Sequence, residues 1–424
     1  MTKPLWGESS NEKELDMTTT AVEQRTDSGI DEGIVERARS LYNLIREEAQ
    51  QGQEDRQITP HAVEAIDGAH LFNLLVPERL GGPGTNVRTM IEVLIELGKA
   101  DGAAGWSAAL LNACTWFAVT YSDSAQEEIW GSNPNAKACG IFFPGMTRRH
   151  ELGRGETAEG GYVLSGEYAF ASGSAVADWA TLGMMVDGRD GKPTMALGLV
   201  SKDQWTIKDT WYTVGMRGTG SNTIVVEDVF IPDHAVQTFE DLAEGRYATS
   251  HGQDEAISRA SFLPVGTVIL AAPAIGMAKA ALEYSLGKLP NRPVGYTVYT
   301  EAKNSPTHQL ALAQAASNID AAHLLLARAC NDIDNYAERG EQPSALARGR
   351  MRMDTGHAVT LCKEAIDLLM TANGASAFAE GSILARIWSD ANTGARHAFA
   401  TPEIGKEVYG RLLLGADNPL SIQV

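Results

Sequence analysis

A histidine, a serine and a short hydroxyl-rich loop are the parts of this 424-residue sequence best placed to do chemistry. His397 stands in the stretch Gly-Ala-Arg-His-Ala-Phe-Ala, which contains no carboxylate. An imidazole has an ordinary pKa of about 6.5 and is therefore suited to accept a proton from a substrate at neutral pH. A structural histidine whose ring is satisfied by local hydrogen bonds is the alternative interpretation.

The serine is Ser172, which lies between Phe170-Ala171 and Gly173 at the end of an expected strand. A hydroxyl among apolar neighbours can hold an N–H group of a ligand while water is excluded. A serine that caps a turn fits the same pattern. The small polar loop Thr219-Gly220-Ser221 is likewise open to two interpretations, a ligand-binding loop or a plain β-turn.

Metal chemistry is not indicated by the sequence. The nine histidines are scattered and form no His-Glu-x-x-His or His-x-His pattern. The four cysteines are far apart and contain no Cys-x-x-Cys pair, so neither a zinc site nor a disulfide framework is expected. They are Cys114, Cys139, Cys330 and Cys362.

The chain is acidic, with a formal net charge of −19 and a pI of about 4.9. Such a surface repels phosphate backbones and anionic lipids, so we expect no nucleic-acid and no membrane partner. No apolar run approaches the roughly 20 residues that span a bilayer. The polar N-terminus has no signal-peptide core, which gives the cytoplasm as the expected location.

The character of the chain changes along its length, and these changes predict four regions. Residues 1–30 are polar and are expected to form a flexible tail. Residues 31–137 show helical spacing of apolar side chains, as at Ile34, Ala38, Leu41 and Ile45. Residues 138–245 contain short Gly-, Val- and Thr-rich segments of strand length, and residues 246–424 return to long helical patterns. The predicted order is an N-terminal helical domain, a β-domain and a C-terminal helical bundle.

Within these regions four strands and several helices are predicted. The strands are 161–170, 179–186, 194–201 and 222–231, with turns at Asp187-Gly188 and Asp190-Gly191. One C-terminal helix is expected to stop at Asn373-Gly374, because glycine commonly follows a helix end. The stretch 147–160 is expected to be a solvent-exposed loop without an assigned role.

Four segments, in this order, resemble the acyl-CoA dehydrogenase superfamily. They are the Val-Pro…Leu-Gly-Gly turn at 76–82, residues 164–173 with 177–179, residues 214–221 with 225–232, and residues 388–392 with 395–399. The resemblance implies an α+β fold with an N-terminal helical domain, a central β-barrel domain and a C-terminal four-helix bundle. The resemblance covers the chain from about residue 35 to residue 420.

The Phe-Ala-Ser-Gly form of the second segment is similar to the flavin-dependent hydroxylases of this fold. Examples are the oxygenase components of 4-hydroxyphenylacetate and hydroxysecoandrostenedione hydroxylases, and naphthocyclinone hydroxylase. The resemblance implies an enzyme that takes reduced FMN or FAD from a separate NAD(P)H-dependent flavin reductase. The flavin reacts with O2 to a C4a-hydroperoxyflavin, which hydroxylates an aromatic or polycyclic small molecule.

The resemblance also implies roles for individual residues. Ser172 would hold the flavin N5–H, and His397 would act on the substrate as a base. The flavin would contact Phe170, Ser172, Gly173, Thr219, Ser221, Arg292, Gly374 and Ala375. The last two would reach the flavin of a neighbouring subunit, because the resemblance implies a homotetramer. The substrate would lie near Trp106, Cys114, Asn392 and Arg396, of which the last two could instead only hold their loop.

Two departures from the pattern bear on the substrate. Several phenol hydroxylases have histidines where this sequence has Cys114 and Val176. Their absence favours a larger, polycyclic, amine or heteroaromatic substrate over a simple monophenol. Three alternatives stay open: an acyl-CoA dehydrogenase, a nitroalkane-oxidase-like enzyme with tightly bound FAD, and an N-oxygenase. The missing catalytic glutamate, both near His397 and at Gly266, argues against the first.

Overall fold

The computed structural model describes residues 29–142, 153–187 and 193–416. Within them the chain runs from helices to a sheet and back to helices, which confirms the predicted order. The expected tail, except residues 29 and 30, lies outside the described residues, as do the turn residues 188–191. The domain divisions at 137/138 and 245/246 stay a prediction.

The N-terminal region contains six α-helices. They are α1 Glu32–Ser40, α2 Tyr42–Asp55, α3 Pro60–Gly68, α4 Val87–Ala100, α5 Gly102–Val119 and α6 Asp123–Trp130. Most begin at a polar side chain that accepts a hydrogen bond from the first turn, as Asp101 does from the backbone N–H of Ala104 at the start of α5. Helix α5 is apolar on all sides and almost completely buried, which makes it the central helix of the molecule.

Among the described residues, eight strands form one sheet. They are β1 Ala138–Ile141, β2 Arg154–Ala158, β3 Gly161–Tyr168, β4 Trp179–Asp187, β5 Pro193–Ser201, β6 Thr206–Lys208, β7 Thr223–Pro232 and β8 Val236–Thr238. The hydrogen-bonded order is β6-β7-β3-β2-β4-β5-β8, and β1 pairs with β4. The β1–β4 and β2–β4 pairs are parallel and the others antiparallel. The four predicted strands are confirmed as β3, β4, β5 and β7.

Strand β2 lies inside the stretch 147–160 that was expected to be a loop, so that expectation was wrong for residues 154–158. The rest of the stretch up to residue 152 lies outside the described residues. The sequence of β2 has no buried apolar alternation, since its side chains are exposed or half-buried. Its strand conformation comes from pairing with β3, from Arg154 opposite Ser165 to Ala158 opposite Gly161.

After β8 the chain is helical. It contains α7 Phe239–Ala243, α8 Phe262–Val268, α9 Ala272–Lys288, α10 Pro306–Arg339, α11 Ala345–Asn373, α12 Ile383–Gly394 and α13 Pro402–Leu413. Helix α11 ends at Asn373 and Gly374 follows with φ 70°, which confirms the predicted stop. Helices α9, α10, α11 and α13 pack side by side, with α12 against α11.

One buried apolar core runs through all three regions. Helix α5 packs against α4, α9 and α12 on its helical side and against β1 on its sheet side. Residues on this helix can therefore contribute to any site formed where the sheet loops meet the C-terminal helices.

Two segments are long and apolar enough to cross a membrane by length and composition alone, 262–288 and 306–339. Neither segment is a continuous apolar run, so the search of the sequence for such runs did not identify them. In residues 262–288, 83% of the most apolar window is buried inside the protein, as in the core helix of a globular domain. In residues 306–339, 28% of the corresponding window is buried.

Candidate active site

Two loops of the sheet region and the C-terminal end of α12 meet on one face of α5. The first loop, residues 170–173, follows β3 and rests on α5. Gly173 has φ 79°, and a Cβ atom added there would lie 2.8 Å from Cγ of Leu111. This contact with Leu111 explains why glycine occupies the position.

The second loop, residues 214–221, precedes β7 and packs against α12. A Cβ atom on Gly215 would lie 2.1 Å from the carbonyl oxygen of Ser389. The backbone N–H of Met216 donates a 2.5 Å hydrogen bond to Oδ1 of Asp390. Burial and the nearby carboxyl of Asp101 raise the pKa of Asp390 to about 7. The loop is thus fixed to the helix that precedes His397.

The structure brings the hydroxyl groups of Ser172, Thr219 and Ser221 together. The hydroxyl oxygens of Ser172 and Ser221 are 2.6 Å apart, and those of Ser221 and Thr219 are 2.7 Å apart. Thr219 and Ser221 are buried, whereas Ser172 is partly exposed. Ser172 is therefore the solvent-facing end of a row of hydroxyls that extends into the protein.

Phe170 stands beside this row and is 69% exposed. Its φ of 65° lies in the left-handed region, which is costly for a residue with a bulky side chain. Its ring contacts Trp211 edge to face, with 6.0 Å between the centroids. A strained, exposed aromatic ring is a feature that often marks a ligand site.

His397 follows α12 and its ring lies between two aromatic side chains. The ring centroid is 5.7 Å from that of Trp106 on α5 and 5.8 Å from that of Phe399. The residue keeps some exposed surface, but burial of the ring among apolar groups lowers the pKa of His397 to about 4. His397 is therefore neutral at pH 7.

The other predicted substrate residues are not all directed to this place. Asn392 and Arg396 bond to each other, with Nη1 of Arg396 3.1 Å from Oδ1 of Asn392 and 2.8 Å from its carbonyl oxygen. Of the two alternatives, this geometry suits residues that hold the helix end. The thiol of Cys114 is buried, and burial raises its pKa well above the usual value. It faces the Cα atom of Gly140 in β1, where an added Cβ atom would lie 2.9 Å from the sulfur.

The remaining predicted flavin residues form a second, separate group. Nη1 of Arg292 donates a 2.9 Å hydrogen bond to the carbonyl oxygen of Asn373, next to the exposed residues Gly374 and Ala375. Among the residues that the structure describes, no hydrogen bond links this group to Ser172 and its neighbours. Arg292 is thus bonded to the turn that carries Gly374 and Ala375, and not to the hydroxyl row.

Asp390 and Met216 lie within two of the segments that carry the family resemblance, but the sequence assigned neither residue a role. Met216 has φ 55°, and its carbonyl oxygen accepts hydrogen bonds from Nε1 of Trp211 and the hydroxyl of Thr219, both at 2.8 Å. An acidic residue on the apolar side of an amphipathic helix is the signal that could have identified Asp390.

The arrangement offers three kinds of contact to a ligand. Ser172 offers a hydroxyl at the rim, Phe170 offers an exposed aromatic face, and His397 offers a neutral ring nitrogen against Trp106. Among the described residues no group of three or more His, Cys, Asp or Glu side chains is placed to hold a metal ion.

Comparisons with known proteins identify relatives of this chain. Residues 268–402 match the family described as acyl-CoA dehydrogenase, C-terminal domain. The chain is 32% identical over 382 residues to the oxygenase subunit HsaA of a flavin-dependent monooxygenase from Rhodococcus jostii, covering 89% of this chain and 97% of that protein. It is 32% identical over 395 residues to the oxygenase component of an FADH2-dependent resorcinol hydroxylase from Rhizobium, covering 91% and 94%.

Among solved structures, the chain is similar to XiaF from Streptomyces in complex with FADH2 and glycerol. The TM-score is 0.86 at 31% sequence identity, and the alignment covers 93% of this chain and 97% of XiaF. The fold is therefore the acyl-CoA dehydrogenase-like fold that the sequence motifs predicted, and the hydroxylase resemblance is confirmed.

Proposed function

The chain belongs to the family of oxygenase components of two-component flavin-dependent monooxygenases, and we propose that its own substrate is a polycyclic or otherwise largely apolar aromatic molecule. Membership implies reduced flavin and O2 as co-substrates, aromatic hydroxylation as the reaction, and a separate flavin reductase as the partner. We propose that this reductase uses NAD(P)H.

The observation that supports an apolar substrate is the chemistry of one face of α5. Trp106, Leu110 and Phe117 follow one another at helical spacing, and none carries a charge or a hydroxyl to pair with a substrate hydroxyl. Phe117 continues this face into an aromatic cluster, with ring centroids 5.0 Å from Phe142 and 4.3 Å from Phe262. A wall of this kind favours fused rings over a small polar phenol.

We propose that His397 meets the one polar group of this substrate, as a hydrogen-bond donor. Its Nδ1 accepts from the backbone N–H of Phe399, so in the neutral ring the proton sits on Nε2. Ser172 would accept the N–H of the flavin, and Phe170 would cover the ring. When bound, the reduced flavin supplies the oxygen-activating chemistry, while the chain's residues bind, orient and exclude water.

The test is a substrate survey with purified protein, a flavin reductase, NADH and either FMN or FAD. Oxygen incorporation from ¹⁸O2 identifies the product, and hydrogen peroxide release measures uncoupled turnover. We expect fused-ring phenols to give more product and less peroxide than simple monophenols. Preferred use of simple monophenols would contradict the proposed substrate class. Oxygen transferred to an amine would identify an N-oxygenase, and oxidation of an acyl-CoA without O2 would identify a dehydrogenase.

We propose in addition that the active site is completed by a second copy of the chain, in a homotetramer. Two observations support this. Among the described residues, Arg292 bonds to the turn at Asn373 and not to the hydroxyl row, and Leu310 and Leu324 on α10 are 71% and 70% exposed. Light scattering gives the number of copies. Ser172→Ala and Arg292→Ala proteins should each be impaired, and mixing them after dissociation and reassembly should restore part of the activity only if sites form between copies.

A further inference from the structure

Behind Ser172, a row of hydrogen bonds ends at a backbone carbonyl. The hydroxyl of Ser172 contacts that of Ser221 at 2.6 Å, Ser221 contacts Thr219 at 2.7 Å, and Thr219 contacts the carbonyl oxygen of Met216 at 2.8 Å. Distances alone do not give the direction of the first two bonds, because either hydroxyl of a pair can be the donor.

The carbonyl at the inner end fixes that direction. A carbonyl oxygen can only accept, so the single proton of the Thr219 hydroxyl is committed to Met216. Thr219 then accepts the proton of Ser221, and Ser221 accepts the proton of Ser172. The opposite direction would place the Thr219 oxygen against the Met216 carbonyl without a proton between them, which costs a buried hydrogen bond.

The inner end is itself held in place. Met216 is in the left-handed region with φ 55°, its N–H donates to the buried Asp390, and its carbonyl also accepts from Nε1 of Trp211. This carbonyl therefore cannot turn away from Thr219 without breaking bonds to two other residues. The direction of the whole row is built into the fold.

We infer that Thr219 and Ser221 are positioning residues that turn the proton of Ser172 inward, so that the site selects reduced over oxidised flavin. The inference rests on the proposed placement of the flavin N5 at Ser172. In reduced flavin N5 carries a hydrogen and donates to the free lone pairs of Ser172. In oxidised flavin N5 is itself an acceptor and would face those lone pairs without a proton.

This selection suits a protein that receives reduced flavin from another protein. Oxidised flavin is the product of each turnover and competes for the same site. An acceptor-only hydroxyl at N5 weakens the binding of the product without weakening the binding of the co-substrate.

The test compares the dissociation constants of oxidised FMN and, under anaerobic conditions, reduced FMN. The ratio to follow is the dissociation constant of oxidised FMN divided by that of reduced FMN. Thr219→Val and Ser221→Ala should each lower this ratio by about fivefold, which corresponds to the free energy of one hydrogen bond. Thr219→Val should act at least as strongly as Ser221→Ala, although it is farther from the flavin. Without Thr219, Ser221 can donate outward to Ser172 and turn the Ser172 proton toward N5.

Thr223→Val is the matched control, since Thr223 is a buried threonine whose hydroxyl pairs with Thr210 at 2.8 Å, outside the row. It should keep the wild-type ratio. If Ser172→Ala leaves the binding of both flavins unchanged, the flavin does not meet Ser172 and the proposed site is wrong. If Ser172→Ala weakens reduced FMN while Thr219→Val and Ser221→Ala keep the wild-type ratio, the inference fails and the proposed function stands.

Discussion

The backbone N–H of Phe399 donates a 3.3 Å hydrogen bond to Nδ1 of His397. A ring with its proton on Nδ1 would place two donors against each other, so the neutral imidazole carries its proton on Nε2. The role predicted from the sequence was that of a base. In this geometry Nε2 is already protonated, and the neutral ring can donate to a substrate oxygen but cannot accept a proton there without turning.

The first prediction concerns the titration of His397. Burial lowers its pKa to about 4, so the ring should stay neutral, with the Nε2–H tautomer, from pH 8 down to about pH 5. ¹⁵N NMR of histidine-labelled protein measures both the tautomer and the midpoint, and a His397→Gln variant assigns the resonance. A midpoint at pH 6 or above, or a signal of the Nδ1–H form, would contradict this.

The same shift affects stability in a defined pH window. Between the unfolded pKa of about 6.5 and the folded pKa of about 4, the unfolded chain binds a proton that the folded chain does not. The contribution of His397 to the free energy of unfolding is therefore lost as pH falls through this window. His397→Gln should remove this part of the pH dependence in urea unfolding between pH 4 and 7.

A second prediction separates a donor from a base at position 397. His397→Ala should lower kcat/KM by about 10²-fold, the usual effect of losing one preorganised donor. His397→Gln keeps an N–H group and should recover about tenfold of that loss. Flavin affinity should be unchanged in both variants, which serves as the control. Equal loss in both, with a wild-type pH profile that rises through about pH 6.5, would instead indicate a base.

Much of the fold followed from the sequence because its signals are local. Apolar spacing at Ile34, Ala38 and Ile45, a glycine after Asn373 and strand-length segments between turn residues each depend on a few neighbouring positions. Strand β2 was missed for the converse reason. Its side chains are mostly exposed, and only the partner strand β3 makes it a strand.

The sequence predicted a set of residues for the site but not how their side chains are arranged. The motifs place Ser172 and Ser221 on separate loops, and nothing in their spacing shows that their hydroxyls meet at 2.6 Å. The bond from Met216 to Asp390 joins a sheet loop to a C-terminal helix, and only the folded chain reveals it. Composition also gave no sign that burial lowers the pKa of His397 to about 4.

A third prediction concerns the packing of Gly173 on α5. Gly173→Ala adds a Cβ atom 2.8 Å from Leu111, in addition to the cost of φ 79°. The double variant with Leu111→Ala should relieve the clash, giving a favourable coupling of about 1–3 kcal/mol in chemical unfolding. Gly374→Ala is the matched control, because Gly374 also has positive φ but no atom lies within 4 Å of an added Cβ. Its coupling to Leu111→Ala should be zero.

A fourth prediction follows from the pKa of Asp390, which is raised to about 7. Between the unfolded pKa of 3.8 and the folded pKa of about 7, the folded chain holds a proton that the unfolded chain has lost. Stability therefore falls as pH rises through this window. Asp390→Asn keeps an oxygen for the N–H of Met216 and should make the free energy of unfolding less dependent on pH between 4 and 8.

Asp334 provides the comparison for Asp390. Burial raises its pKa to about 7 as well, but it accepts hydrogen bonds at 2.9 Å from the N–H groups of Val87 and Arg88, at the start of α4. Asp334→Asn should flatten the same stability profile and leave flavin affinity unchanged. Asp390→Ala, which removes the bond to Met216, should weaken reduced FMN. An unchanged stability profile in Asp390→Asn would show that Asp390 is ionised in the folded protein at pH 6.

A fifth prediction tests Arg292 as the ligand of the flavin phosphate. The guanidinium donates to the carbonyl oxygen of Asn373 and has further N–H groups for an anion. Arg292→Ala should raise the dissociation constant of reduced FMN by about tenfold or more and leave that of reduced riboflavin, which has no phosphate, unchanged. Arg411→Ala is the control, because Arg411 is a surface arginine paired with Glu407 on α13. Equal weakening of FMN and riboflavin would mean that Arg292 acts only through Asn373, by holding the turn at Gly374.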